Sequence, residues 1–298
     1  MTAILFTLLC IIWSSTWMAI KIGLNYFPPI MFAGIRFVIA ALFLYALLKL
    51  QKRVLCLNWD KIFPAVVFGS LNGIAYGLIF WGEQYIPSSM ASILNSVLPF
   101  FSAIFAYFLV GEPLSPHKIA GLLIGFSGIL LIFSENIRQF SFENLAAKLA
   151  MIAASAVYAF AGAHTKRYKV DLHPLQVVTV QMTSSAIVLL LVGLPLEYNA
   201  VITFSLTGII TLLYLGIFGS AIAFLLYYNL ILRMEVSKLA YTNFITPPVA
   251  IMMGSVFLNE TVNTKALGGL VIIFLGLFII NYRNLVSYKP KKRIQSSV

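Results

Sequence analysis

Charge is what this sequence has least of. Asp, Glu, Lys and Arg together make up 10% of 298 residues, whereas a water-soluble domain carries about a quarter. That deficit excludes a water-facing surface around most of the chain. Cysteine is nearly absent, with Cys10 in an apolar run and Cys56 in a basic loop. The pair excludes a disulfide framework and gives no metal-site spacing. Histidine is as scarce: His117, His164 and His173 all lie away from helix centres. No metal or cofactor is therefore expected. The nine acidic residues (Asp60, Glu83, Glu112, Glu135, Glu143, Asp171, Glu197, Glu235 and Glu260) fall in loops or at helix ends. A proton relay built on a mid-helix carboxylate is thus not expected, and facilitated diffusion or exchange is.

What the chain has is apolar length. Hydrophobic residues make up 61% and the mean hydropathy is +0.96. A membrane-spanning helix needs roughly 20 mostly apolar residues, and the runs here reach that length repeatedly. They do not alternate with period two, which excludes a barrel. Ten transmembrane helices are predicted, at about 3–22, 30–49, 62–82, 89–110, 116–134, 146–166, 174–193, 206–228, 237–258 and 266–283. The first lacks a basic start and a cleavage site, so it reads as retained and not as a signal peptide. The segment 287–298 is polar and basic and reads as a tail.

The net charge of +11 follows the loops, so it points to the bilayer and not to nucleic acid. With a cytoplasmic N-terminus, fifteen basic residues between Lys49 and Arg293 fall on the inner side. Four, Lys21, Arg138, Lys148 and Lys265, fall outside. That bias places both termini in the cytoplasm. Arg36 lies inside helix 2. It reads as snorkelling to the outer interface, or as meeting Glu83 or a substrate carboxylate.

The chain repeats itself at a spacing of 148 residues. Asn95 meets Asn243, Pro99 meets Pro247, Glu112 meets Glu260, Gly121 meets Gly269 and Gly128 meets Gly276. Each half, 1–138 and 139–286, holds five helices. An odd number inverts the second half, a plan that recurs in secondary transporters with a midplane site.

Polar residues inside apolar helices mark the candidate site. Pro99 and Pro247 cannot donate to the carbonyls four residues back, which belong to Asn95 and Asn243. The two prolines are candidate hinges and the two asparagines candidate ligands; a plain kink with interhelical bonding is the alternative. Trp13 and Thr16 in helix 1, Asn72 and Tyr76 in helix 3, Tyr158 in helix 6 and Ser220 in helix 8 complete the expected substrate-binding set. Gly69, Gly73 and Gly77 read as a packing stripe. A carboxylate at a helix C-terminus opposes the macrodipole. Glu112 and Glu260 are therefore expected to clasp the N-terminus of the following helix, where Ser115 and Pro116 make a good start.

The run Trp13-Ser14-Ser15-Thr16-Trp17, the stretch from Pro28-Pro29 to Arg36-Phe37, Pro99 with Glu112, and the echo Pro247 with Glu260 resemble the EamA family of the drug/metabolite transporter superfamily. The resemblance spans nearly the whole chain, with Ser14 standing where the family usually has Gly. It implies an all-α integral membrane fold of two inverted five-helix repeats around a central cavity, working by alternating access. It also implies transport of small metabolites, often amino-acid export, in the bacterial inner membrane. The polar core, without mid-helix carboxylates, favours a neutral or zwitterionic substrate and a monomer or weak dimer. Two other classes compete. An intramembrane enzyme acting on a lipid or apolar substrate needs convergent nucleophiles or acid–base pairs. A channel needs charged rings or carbonyl filters, usually from symmetric oligomers.

Overall fold

A computed structural model describes residues 2–56, 58–134, 142–168, 172–231 and 242–286. The tail, the 138/139 boundary between halves and the start of helix 9 lie outside the described residues. Among those described, the chain forms helices and no strand. They are α1 (Thr2–Gly23), α2 (Pro29–Leu50), α3 (Trp59–Glu83), α4 (Ser88–Val110), α5 (Pro116–Phe133), α6 (Phe142–Arg167), α7 (Pro174–Leu196), α8 (Leu206–Leu230), α9 (Thr242–Leu258) and α10 (Thr264–Val286). Seven of them, α1 to α4 and α6 to α8, are long and apolar enough to cross a membrane. The apolar stretches of α5, α9 and α10 are shorter.

Local chemistry explains where the helices start. Asn58 accepts from the Asp60 amide at α3, and Ser205 from the Gly208 amide at α8. His173 and Gln176 form a capping box at α7. At α2 the prolines leave no capping side chain. The Glu197 carboxylate, from the end of α7, accepts from the Ile30 and Met31 amides at 2.9 and 2.7 Å. A negative charge there also meets the positive end of the helix dipole.

Small residues set the packing. Lipid tails are as apolar as leucine, so helix association in a membrane rests on close fit. A Cβ on Gly69 would stand 2.4 Å from the Gln181 carbonyl oxygen, and one on Gly73 2.9 Å from that of Ser185. The stripe on α3 is thus the seam with α7. Gly121 meets the Gly276 carbonyl, and Gly128 meets that of Gly269. Contacts that rise along α5 fall along α10, so this pair runs antiparallel. Large apolar side chains such as Leu42, Leu123 and Leu191 point outward.

The backbone echoes the 148-residue spacing. Three described residues are left-handed, Lys52, Gly111 and Asn259, and the last two, with φ of 77° and 53°, stand 148 apart. Each of these two follows the end of its helix, and the next amides, Glu112 and Glu260, return to the carbonyls of Ala106 and Gly254. Packing follows the same exchange: α1 lies on α8 and α9, and α6 on α3 and α4. The matched proline positions differ. α4 breaks after Asn95 and resumes at Leu98, whereas α9 runs unbroken through Pro247 and Pro248. The hinge expected at both positions is a break only at Pro99.

Candidate functional site

Arg36 of α2 is buried against α3 and α8. It is 1% exposed, so it does not snorkel. Its Nε donates to the Ser220 hydroxyl at 2.7 Å and its Nη2 to the Gly219 carbonyl at 3.3 Å. The guanidinium lies over the rings of Tyr76, Phe37 and Phe80, 4.8, 5.2 and 5.5 Å from their centroids. Cation–π attraction strengthens as water is removed. Nη1 is buried with no hydrogen-bond partner. The outer interface is out of reach because α8 closes over the side chain. Gly216 and Gly219 allow that approach: a Cβ on Gly216 would stand 3.2 Å from the Arg36 carbonyl oxygen. Both lie in a stretch wound as a π-helix, Leu215–Ile222, a distortion frequent at functional sites.

The structure gathers some of the expected residues around this cation. Tyr76 gives its ring face and Ser220 its hydroxyl. Thr16 lies beneath Gly219, its methyl 2.9 Å from where a Cβ would stand. Its hydroxyl donates to the Trp13 carbonyl at 2.7 Å. Tyr158 packs edge-on against Phe68. Trp13 packs on Phe224 and Tyr227, with its indole N–H buried and unpartnered.

Others sit elsewhere. Asn72 is in the α3–α7 seam, donating to the Ser185 hydroxyl at 3.0 Å. Asn95 accepts from Ser155 on α6 at 3.2 Å. Asn243 is half-buried near the start of the described part of α9. Ser14 is buried and bonds back to the Cys10 carbonyl at 2.6 Å.

The two end carboxylates have partners other than those expected. Glu260 accepts from the Ser88 and Ser89 amides at 2.8 and 3.0 Å, so it caps α4 and not α10. Asn263 already accepts from Lys265 at the start of α10, and the bare N-terminus of α4 takes the carboxylate. Glu112 pairs with Lys166 of α6 and not with α5. The Ser115 hydroxyl, expected to cap α5, meets the His117 ring at 3.1 Å.

Sequence reasoning missed several members. Of the two sequence readings of Arg36, snorkelling is excluded by its burial, which leaves the meeting with Glu83 or a substrate carboxylate; a charge inside a membrane helix is by default a functional candidate. Tyr214 bonds Ser15, and Gln181 donates to Tyr228 at 3.3 Å. Glu83 ends α3, as expected, yet is 0% exposed with both carboxylate oxygens unpartnered. Lys21 donates to the Glu83, Gln84 and Ile86 carbonyls at 2.7, 3.2 and 2.8 Å, capping the end of α3.

A bundle of membrane-length helices with a buried cation, tyrosines and amides defines a polytopic membrane protein with a polar interior. The EamA-like transporter family model matches residues 1–134 and 145–282, and the chain belongs to that family. It is 28% identical to the uncharacterized transporter YvbV of Bacillus subtilis (strain 168), over 95% of this chain and 92% of that one. It is also 28% identical to the uncharacterized inner membrane transporter YedA of Escherichia coli (strain K12), over 95% and 91%. A "Probable amino-acid metabolite efflux pump" of Salmonella typhimurium is 25% identical, over 91% and 92%. A solved crystal structure superposes with a TM-score of 0.68 at 19% identity, covering 94% of this chain and 97% of the other, which shows the fold.

Proposed function

We propose that this protein is a secondary transporter that moves small zwitterionic or neutral metabolites, amino acids foremost, across the bacterial inner membrane. Two inverted five-helix halves, 1–138 and 139–286, rock about a shared interior, with both termini and the 287–298 tail in the cytoplasm. The antiparallel register of Gly121 with Gly276 and of Gly128 with Gly269 supports that inversion, because exchanging the halves maps one contact onto the other. The left-handed Gly111 and Asn259 support it again.

One observation carries the reading: a fully buried guanidinium in α2 is held across the bundle by α8. A charge is costly in a bilayer and is found where function requires it. Arg36 takes the carboxylate of a zwitterion, and Tyr76, Thr16 and Ser220 flank it. Tyr158 and Trp13 line the deeper aromatic wall, while Asn72, Asn95 and Asn243 contribute amides once the halves part. The break at Pro99 lets α4 bend as access alternates. The name of the Salmonella relative, a probable amino-acid metabolite efflux pump, supports amino acids as the substrate class. The test is uptake by proteoliposomes over a panel of radiolabelled amino acids and neutral metabolites. Saturable uptake of at least one amino acid, absent from empty liposomes, is expected. Flux of polyvalent anions or cationic dyes alone overturns the substrate assignment.

A further inference from the structure

Glu83 is a buried ionisable group that the reading above leaves unused. Its carboxylate is fully buried and accepts no hydrogen bond. The cation that acts on it most strongly, Lys21, is already committed: an ammonium has three donors, and Lys21 spends them on the carbonyls of Glu83, Gln84 and Ile86. Arg36, from α2, acts on Glu83 only through space, with two of its nitrogens given to Ser220 and Gly219. Glu260, reaching in after α9, adds a like charge while its own oxygens are held by the Ser88 and Ser89 amides. On α4, Ser88, Ser89 and Ser92 are buried, and the Ser88 and Ser92 hydroxyls have no hydrogen-bond partner. On α6, buried Lys148 has a partner of its own. On α3 itself Tyr76 and Gln84 follow, the Gln84 amide donating to the Trp81 carbonyl at 2.9 Å. An ionised carboxylate so placed is desolvated without a bonded counter-charge, the costly arrangement for a buried ion.

Arg36 acts through space to favour the ionised form of Glu83. A carboxylate bound at Arg36 offsets that influence, so a proton on Glu83 and a carboxylate on Arg36 favour each other.

We propose that Glu83 is a proton-binding site, loaded together with the substrate carboxylate on Arg36, so that transport is proton-linked. This rests on the transporter reading and replaces the expectation of uncoupled diffusion. The step is simple in its balance: the carboxylate takes one proton from water on the open side and returns it to water on the other. An anion on Arg36 favours the neutral carboxyl by like-charge repulsion. Affinity for an amino acid therefore rises as pH falls, by at most about tenfold per pH unit for one linked proton.

The first test needs no substrate. Infrared difference spectra of the purified, folded protein, titrated in light and heavy water above the pH range in which ordinary carboxyls ionise, are expected to show one protonated carboxyl band that shifts in heavy water and is absent from Glu83→Gln. Should Glu83→Gln not fold, Glu83→Asp is expected to keep a band with a moved midpoint. No such band in the parent, a band that persists in Glu83→Gln, or one that Glu83→Asp leaves unmoved, overturns the proposal. The second test measures binding of an equimolar mixture of the common amino acids against pH. The parent is expected to bind more tightly as pH falls and Glu83→Gln to bind independently of pH. Binding that is independent of pH in the parent overturns the linkage. If the infrared band behaves as expected and no amino acid binds, the proton site stands and the substrate assignment falls.

Discussion

Replacing Ser220 by alanine removes the oxygen that accepts the Arg36 Nε–H at 2.7 Å. Both residues are buried, at 0% and 1% exposure, so no water takes the lost place without opening α2 from α8. A hydrogen bond to a charged group is worth about 1.5–3 kcal/mol. The smaller side chain does not repack the gap, because Gly219 and Gly216 already bring α8 against α2. Ser220→Ala is therefore expected to lower the unfolding free energy by about 1.5–3 kcal/mol. Arg36→Met removes the charge along with its bonds, and on that background Ser220→Ala has nothing left to break. The double-mutant cycle should return most of the single-mutant cost as coupling. The assay is chemical unfolding in mixed micelles, followed by the fluorescence of the four tryptophans. Additive effects of the two substitutions, or a Ser220→Ala protein as stable as the parent, would refute the placement of Arg36 beneath α8.

Three further outcomes follow from the same structure. Asn95→Ala and Asn243→Ala should each weaken amino-acid binding by roughly 10- to 100-fold in folded protein, while Pro99→Ala should slow turnover more than it weakens binding; unchanged affinity in both asparagine variants removes them from the site. Gly69→Leu should abolish folded protein, because its Cβ would stand 2.4 Å from the Gln181 carbonyl; normal yield in size-exclusion chromatography contradicts the α3–α7 seam. Cys56 should resist an impermeant thiol reagent in intact cells and react in inverted vesicles; the opposite pattern reverses the orientation.

The sequence displayed what is local or repeated. Apolar runs gave the helices to within a few residues, and glycines four or seven apart marked the seams, since a missing side chain is visible without knowing the partner. Gly111 and Asn259 end their helices alike at the same spacing, but as different residue types they do not show in the 148-residue echo. Long-range choices were not legible. Arg36 finds Ser220 across 184 positions, and no local pattern distinguishes that partner from the outer interface. Glu260 caps α4 because Asn263 already serves α10, a competition seen only in three dimensions. Glu83 looked like an end-of-helix charge in water, and only the packing of α1, α4 and α6 around it reveals a buried one. The break in α4 without a counterpart in α9 is likewise absent from the matched Asn–Pro pairs.

The central claim is that one interior serves both sides of the membrane in turn. Counterflow measures this directly. Proteoliposomes loaded with an unlabelled amino-acid mixture are diluted into trace labelled amino acid, with no ion gradient imposed. An alternating carrier should accumulate the label transiently above its equilibrium level and then lose it, and Arg36→Met should abolish the overshoot. A monotonic approach to equilibrium with no overshoot, across every amino acid that enters, would mean an open pathway and would contradict the account.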